Sequence, residues 1–316
     1  MFKNHYFCDA MNRQNTLIYH LAALVTVIIW GITMVSTKIL LREGLSPEEI
    51  MMIRFAMAYI FLWILYPRSH RIKSWLDELI FAGIGITSGS LYFFLENTAL
   101  VYTPATNVSL FCALIPLTTA IFTHFVFREK SLTKRFRTGS VISLAGTVLI
   151  ILNGKFSFKV NPLGDFLALM AIISWSVYGV LVKCLTGNYN SLFVTRKIFF
   201  YGILTMLPCF MLVAPFDVPA KVLVKPVVLG NLCFLGLIAS SLCYLMWMLS
   251  LRNLGVVKTN NYIYFSPLVT IITAHFVISE HITPYVICGT ILILSGLWIA
   301  TAKSTARNHK NGQNTA

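Results

Sequence analysis

Long apolar blocks separated by short polar segments dominate the pattern of residues along this chain. A helix rises 1.5 Å per residue, so about 20 apolar residues are needed to cross the roughly 30 Å hydrocarbon core of a bilayer. Strands of a membrane barrel would be about ten residues long and would alternate, which these blocks do not. The pattern predicts an all-α integral membrane protein with ten transmembrane helices, at 17–41, 48–66, 76–100, 104–127, 136–153, 163–185, 192–213, 227–250, 257–278 and 284–301.

The composition supports a membrane protein and argues against a soluble one. Hydrophobic residues make up 57% of the chain and charged residues 11%, with a mean hydropathy of +0.76. A soluble domain carries about a quarter charged residues. The net charge of +14 does not indicate nucleic-acid binding, because Lys and Arg lie between the apolar blocks rather than along one exposed stripe. The seven cysteines form no CxxC motif, so neither a metal site, a cofactor nor a disulfide framework is predicted.

The basic residues are distributed unevenly between the two sides of the predicted helix bundle. With the N-terminus in the cytoplasm, 18 Lys and Arg residues fall on the cytoplasmic side, and Arg54 falls within a span. Because basic residues concentrate on the cytoplasmic side, both termini are predicted to be cytoplasmic, in a protein of the plasma (inner) membrane. Segment 1–16 then precedes a retained helix, and 302–316 is a basic, disordered tail. The six basic residues on the outer side are Lys38, Arg42, Lys155, Lys159, Lys221 and Lys225.

The chain contains an internal repeat. Pro116 and Glu129 recur 151 positions later as Pro267 and Glu280. Three blocks recur in the same order, which one chance match could not produce. The further matches are Leu100, His124, Phe125 and Val126 with Leu251, His275, Phe276 and Val277 at the same spacing, Ala23, Ile28, Trp30, Val35, Lys38 and Leu40 with Ala168, Ile173, Trp175, Val180, Lys183 and Leu185 at a spacing of 145, and Gly139 and Gly146 with Gly289 and Gly296 at a spacing of 150.

The repeat predicts two halves of five helices each, at 17–153 and 163–301. Because five is an odd number, the second half begins on the opposite side of the membrane, and the two repeats are inverted. Inverted repeats form the scaffold of many secondary transporters, in which two similar halves alternate access to a central site. A structural protein does not need this symmetry, so the repeat favours transport.

These residues resemble the drug/metabolite transporter superfamily, in its EamA-type ten-helix branch. The resemblance rests on the Trp in the middle of the first and sixth spans and on the run ENTALVYTPATNVSLFCALIPLTTAIFTHFVFREK from Glu96 to Lys130. The second copy, from Ser250 to Glu280, keeps the spacing but lacks the Tyr and Ala of the motif. The resemblance implies secondary transport, often export, with a site near the midplane between the halves. Members of the superfamily move amino acids, metabolites, drugs or nucleotide sugars.

Arg54 and Glu96 are the two charged residues predicted to lie deep within spans. Such a charge costs about 2.5–3.5 kcal/mol on insertion scales and requires a partner or a wet cavity. Both lie at a similar predicted depth in the outer half of the membrane, so an ion pair between them would offset both costs. The functional interpretation is a gate or a site for charged substrate groups or protons. The structural interpretation is an ion pair, or an Arg54 side chain that extends to the interface. In the repeat, Trp247 takes the position of Glu96, which favours a functional carboxylate.

Aromatic and amide side chains supply the other candidates for substrate contact. Trp30 and Trp175 lie at corresponding positions in mid-span, whereas interfacial tryptophans lie at span ends. They are predicted to line a cavity and stack on a substrate, with helix packing as the alternative. Glu129 and Glu280, at helix exits, are interpreted as structural. The remaining candidates are Tyr92, Asn97, Tyr178, Asn260 and Asn261, whose buried polar groups need partners.

The combined prediction is a secondary-active transporter that works by alternating access. It would export a small polar or amphipathic metabolite, with the lipid bilayer as its solvent and protons as a candidate coupling ion. The sequence contains no P-loop, HExxH or GxSxG motif, and no catalytic residue is predicted. A membrane-embedded enzyme and a sensor without a soluble domain are the alternatives from other classes, and solute counterflow would distinguish them from a transporter.

The uneven distribution of basic residues generates a test of topology. A reporter that works only in the cytoplasm is expected to be active when it is fused after Ala316. An epitope inserted at 153–162 is expected to bind antibody on intact cells. A C-terminal epitope that binds antibody on intact cells would refute the predicted orientation.

Overall fold

The computed structural model describes residues 3–68, 71–128, 133–152, 162–185, 189–212 and 217–301. Within these residues the chain forms ten long helical segments and one four-residue helix, Ala220–Leu223, without any strand. The segments are α1 (Lys3–Arg42), α2 (Pro47–Leu65), α3 (Trp75–Tyr102), α4 (Ala105–Phe127), α5 (Lys134–Leu152), α6 (Pro162–Leu185), α7 (Ser191–Leu212), α8 (Pro226–Leu254), α9 (Val256–Ile278) and α10 (Pro284–Thr301).

Six helices of the described chain are long and apolar enough to cross a membrane by length and composition. They are α1 from Thr16 onward, α3, α4, α6, α8 and α9. The helix α2 is not among them and carries three charged residues, Glu48, Glu49 and Arg54, within its 19 residues. The ten segments follow the ten predicted spans in position, and the crossing of all ten stays a prediction. One boundary differs clearly, since α1 begins at Lys3 rather than near residue 17.

The internal repeat extends to irregularities of the backbone. Arg128 and Ser279, which follow the ends of α4 and α9, have left-handed φ angles of 52° and 57°. Such angles are uncommon outside glycine, and these two residues are 151 positions apart. In the described part of each half there is also one π-helical stretch, Ile86–Ser90 within α3 and Phe234–Leu242 within α8, and these overlap at the same spacing. The two halves therefore share local geometry as well as sequence.

The helices α5 and α10 pack against each other through crossed pairs of glycines. A methyl group on Gly139 would lie 2.2 Å from the carbonyl oxygen of Gly296, and one on Gly146 would lie 2.6 Å from that of Gly289. In the repeat, Gly139 corresponds to Gly289 and Gly146 to Gly296. Replacing each glycine by its repeat counterpart turns the first contact into the second, which is the pattern of two copies related by a two-fold rotation.

The core of the molecule lies where the two halves exchange helices. In the first half α1 packs against α8 and α9 of the second, and in the second half α6 packs against α3 and α4 of the first. Because α1 and α6 are repeat counterparts, their midpoints meet near the centre of the bundle. Trp30 and Trp175 lie there, with ring centroids 5.4 Å apart and an edge-to-face geometry.

The crossed glycines generate a test of this packing. Gly139→Ala is expected to destabilise the protein by about 1–3 kcal/mol, because the added methyl group meets the backbone of α10. Gly230→Ala is the matched control, since a methyl group on Gly230 of α8 meets no atom within 4 Å. Thermal unfolding of the purified protein in detergent measures both effects. Equal midpoints for the two variants would contradict the close approach of α5 and α10.

Candidate functional site

A buried cavity lies at the centre of the bundle, between helices of both halves. Its charged lining residues are Arg54 on α2 and Glu96 on α3, which are 1% and 4% exposed. The space open to the centres of water molecules is about 40 Å³, which accommodates about three waters. Little free space is therefore left among the side chains that line this cavity.

The cavity straddles the pseudo-two-fold relation between the halves. Its lining includes the repeat pairs Trp30 with Trp175, Phe93 with Tyr244, Cys112 with Ile263, and Ile115 with Ser266. Matching positions from both halves therefore face one space. Arg54 and Glu96, in contrast, come from the first half alone, and the counterpart of Glu96 is the fully buried Trp247. The scaffold is symmetric while the charge within it is not.

Two carbonyl groups in the π-helical stretches hold the aromatic lining in place. The Tyr244 hydroxyl donates to the Ser88 carbonyl at 2.8 Å, and Trp30 Nε1 donates to the Ala239 carbonyl at 3.1 Å. Ser88 and Ala239 are themselves repeat counterparts. A π-helical stretch shifts the backbone hydrogen bonds out of the α pattern, so side chains can reach these carbonyls. Each half thus holds an aromatic residue of the other.

Glu96 has its hydrogen-bond partners on α3 and α4. The Tyr92 hydroxyl donates to Glu96 Oε1 at 2.5 Å, and Cys112 Sγ lies 4.0 Å from the same oxygen. The Tyr92 ring in turn lies 4.8 Å from the Trp175 ring. Tyr92 lines the cavity and links the carboxylate to the aromatic lining, and its contact with a substrate stays a prediction.

Arg54 lies beside the cavity without the ion pair that the sequence suggested. Its Nε donates to Ser240 Oγ at 3.0 Å, and its guanidinium carbon lies 4.3 Å from the centre of the Phe93 ring. Among the described residues Arg54 and Glu96 form no ion pair within 4.0 Å, and both line the same cavity. The guanidinium is fully buried, so it cannot extend to the interface. Its terminal nitrogens have no hydrogen-bond partner in the described part of the chain.

The four remaining candidates lie outside the cavity lining. Asn97 is buried and donates to the Pro47 carbonyl at 3.3 Å, and Asn260 donates to Thr119 Oγ1 at 3.0 Å. Tyr178 packs on the Trp175 ring at 5.0 Å. Asn261 is half-buried at the start of a 3₁₀ turn. These residues surround the site, and a role in substrate contact stays a prediction for each of them.

Sequence reasoning missed five polar or aromatic residues of the site, two of which are Thr33 and Ser266. Phe93, Tyr244 and Cys112 all line the cavity. The repeat contained a signal for two of them, because Phe93 and Tyr244 are aromatic at matching positions and Phe93 adjoins the candidate Tyr92. Cys112 gave no such signal, since its counterpart is Ile263. Its thiol lies close to Glu96 only because α4 packs against α3.

Comparison with known proteins identifies the family. The model of the EamA-like transporter family matches residues 17–152 and again residues 162–302. This chain belongs to the EamA-like transporter family. Its two matched segments show the two-repeat architecture, and the chain is an integral membrane protein of a family of transporters.

Several relatives of this family member are named transporters. An uncharacterized transporter of Archaeoglobus fulgidus is 28% identical over 90% of this chain and 97% of its own length. A probable terminal-alkyne amino-acid exporter of Streptantibioticus cattleyicolor is 23% identical over 92% of this chain and 95% of its own. A solved crystal structure shares the fold with a TM-score of 0.65 at 21% identity, covering 92% of this chain and 96% of that one.

Above the cavity, on the side predicted to be external, the connection between α3 and α4 is held by two charged side chains. We call Lys38, Glu280 and their backbone partners the outer latch. Lys38 of α1 donates to the carbonyls of Leu100 and Thr103 that end α3, the second at 3.1 Å. These bonds satisfy two carbonyl groups that a helix end leaves free.

Glu280 completes the outer latch from the second half of this EamA-like protein. It accepts from the backbone N–H groups of Ala105 and Thr106 at 3.1 and 3.3 Å and from the Thr106 hydroxyl at 2.7 Å. A carboxylate is stabilised at a helix N-terminus, where free N–H groups and the helix dipole meet. The repeat places Val257 at the position of Thr106, so the hydroxyl bond has no counterpart in the second half.

The outer latch generates a test of whether it limits access to the cavity from outside. In a background where Cys112 is the sole cysteine, Glu280→Gln is expected to raise its reaction rate with an impermeant maleimide, added from outside, about tenfold. The reason is the loss of charged hydrogen bonds, each worth about 1.5–3 kcal/mol.

Glu43→Gln is the matched control for this test, because the ion pair of Glu43 with Lys225, at 2.7 Å, lies on the same predicted side but outside the outer latch. An unchanged rate in Glu280→Gln, with normal expression, would show that Glu280 does not limit access to the cavity.

Proposed function

We propose that this chain is a secondary-active transporter that moves a small amphipathic metabolite outward by alternating access. The observation that carries the proposal is the cavity between the two halves, with a buried cation and a buried carboxylate in an aromatic lining. A membrane protein bears the cost of burying such charges where they act on a substrate or ion. The family and the names of its relatives support transport as the activity.

The lining supports a substrate with a charged end and an apolar body. The free terminal nitrogens of Arg54 suit a carboxylate or a similar planar anion, which a guanidinium binds in a bidentate manner. Glu96 offers an acceptor for an ammonium or hydroxyl group in the same cavity. Trp30, Trp175 and Tyr244 offer ring faces and edges for an apolar or cationic body. The named amino-acid exporter of Streptantibioticus cattleyicolor supports an outward direction and a substrate of this kind.

Alternating access follows from the packing of the two halves. The cavity lies where α1 and α6 cross into the opposite half, so a rotation of one half against the other would open it to one side at a time. The outer latch joins α9 of the second half to the start of α4 of the first, and its release is expected to accompany outward opening. Neutralisation of Glu96 by a proton or by a substrate group is the proposed coupling event.

Reconstitution into proteoliposomes tests the proposal. With zwitterionic amino acids and their derivatives as the first panel of solutes, Glu96→Gln is expected to abolish concentrative transport, since the amide keeps the shape but loses the charge. If Glu96 couples protons, counterflow persists in Glu96→Gln while the response to a pH gradient disappears. If Glu96 gates or binds substrate, counterflow is lost as well, and Arg54→Gln in the same protein restores part of it by removing an uncompensated buried charge.

A carboxylate outside the cavity provides the control. Glu48, in the first turn of α2, lines no part of the cavity, so Glu48→Gln is expected to transport at the wild-type rate. Wild-type transport with an unchanged pH response in Glu96→Gln would refute both roles of the carboxylate. Absence of counterflow for every solute in the wild-type protein would count against transport itself and favour an enzyme or a sensor.

A further inference from the structure

A second cavity, separate from the central one, lies between α2 and α7 on the side predicted to be cytoplasmic. We call it the inner groove. Its lining comes from Tyr59 and Trp63 near the end of α2 and from Phe193, Arg196, Lys197 and Phe200 in the first three turns of α7. The groove has a volume of about 300 Å³. None of these residues contributes to the central cavity.

Arg196 gives the inner groove a positive charge that no carboxylate balances. Its Nη1 and Nη2 donate to the carbonyls of Tyr66 and Arg68 at 2.6 and 3.0 Å, just after the end of α2. The residue is 91% buried, and no acidic side chain pairs with it in the described part of the chain. Carbonyl groups satisfy hydrogen bonds but leave the net charge of a guanidinium in place, so an anion in the groove would be attracted.

Lys197 shows how the groove accommodates a cation beside aromatic rings. Its Nζ pairs with Glu78 of α3 at 2.7 Å and lies 5.6 Å from the Phe200 ring centre. The Tyr59 and Phe200 rings face each other across the groove at 6.1 Å. Since Glu78 already balances Lys197, the net charge of the lining comes from Arg196. Rings and cations together are typical of the level where lipid headgroups meet the hydrocarbon.

The groove continues into an apolar surface in one direction and a basic loop in the other. Ile60 and Ile64 of α2 and Leu204 of α7 are about half exposed, at 59%, 67% and 46%. Beyond the end of α2 the exposed Arg68 and Arg71 add positive charge. A ligand that matches this order has a negative headgroup and an acyl chain.

We propose that the inner groove binds an anionic phospholipid, with the phosphate beside Arg196 and an acyl chain along the exposed faces of α2 and α7. Basic pockets between transmembrane helices on the cytoplasmic side are suited to acidic headgroups, and anionic lipid attracts nearby Lys and Arg. The lipid would bridge the first and second halves, because α2 and α7 belong to different repeats. Binding at this groove does not depend on the transport activity proposed above.

Native mass spectrometry of the purified full-length protein in detergent tests the lipid site. The probes are phosphatidylglycerol and phosphatidylcholine with identical acyl chains. The wild-type protein is expected to bind phosphatidylglycerol more tightly, and Arg196→Gln is expected to weaken that binding about fivefold, the change that one basic residue gives. Arg196→Lys, which keeps the charge, is expected to retain the preference for phosphatidylglycerol.

A second pair of variants leaves the hydrogen bonds of Arg196 untouched. It tests lipid binding at the inner groove even if Arg196→Gln fails to fold. Trp63 is 53% exposed at the mouth of the groove. Trp63→Glu places a carboxylate there that repels an anionic headgroup, so it is expected to weaken phosphatidylglycerol binding about as much as Arg196→Gln. Trp75, 76% exposed at the start of α3 on the same predicted side, is the control, and Trp75→Glu should bind normally. Equal binding of the two lipids by wild type, or unchanged phosphatidylglycerol binding in Trp63→Glu, would overturn the proposal.

Discussion

The crossed packing of the two halves is the constraint on which the rest of the structure depends. The helices α1 and α6 each leave their own repeat and pack on the other, so the midpoints of both are brought to one place. A hydrocarbon environment gives no driving force for burying apolar surface between helices, so small residues and polar contacts decide the fit. Between α5 and α10 the small residues are glycines, with Gly139 against Gly296 and Gly146 against Gly289.

Polar groups inside a bilayer need partners within the protein, and two aromatic residues of the central site find theirs on unusual backbone. The carbonyls of Ser88 and Ala239, in the two π-helical stretches, bind Tyr244 and Trp30 from the opposite halves. The same hydrogen bonds that keep the backbone satisfied therefore fix the aromatic walls. A change of hydrogen bonding in a π-helical stretch would move a wall, which connects local backbone geometry to the shape of the cavity.

Two symmetric halves produce a site whose chemistry is not symmetric. Glu96 and Arg54 come from one half, and the repeat counterpart of Glu96 in the other half is the buried Trp247. The outer latch is also unequal, since Thr106 contributes a hydroxyl where Val257 has none. Duplication provides two related openings, and single substitutions after duplication can give each opening its own stability.

The sequence by itself determined the helical class, the positions of the helices and the repeat, because span length, hydropathy and spacing are local properties that the bilayer constrains strongly. It also indicated Trp30, Trp175, Tyr92, Arg54 and Glu96, which meet at one cavity. Only the tertiary structure decided which atoms touch. Arg54 binds Ser240 rather than Glu96, and Cys112 and Tyr244 reach the site because helices far apart in sequence pack together. Depth along a span follows from residue count, whereas the direction of a side chain follows from helix rotation and from the neighbouring helices, which no local pattern specifies.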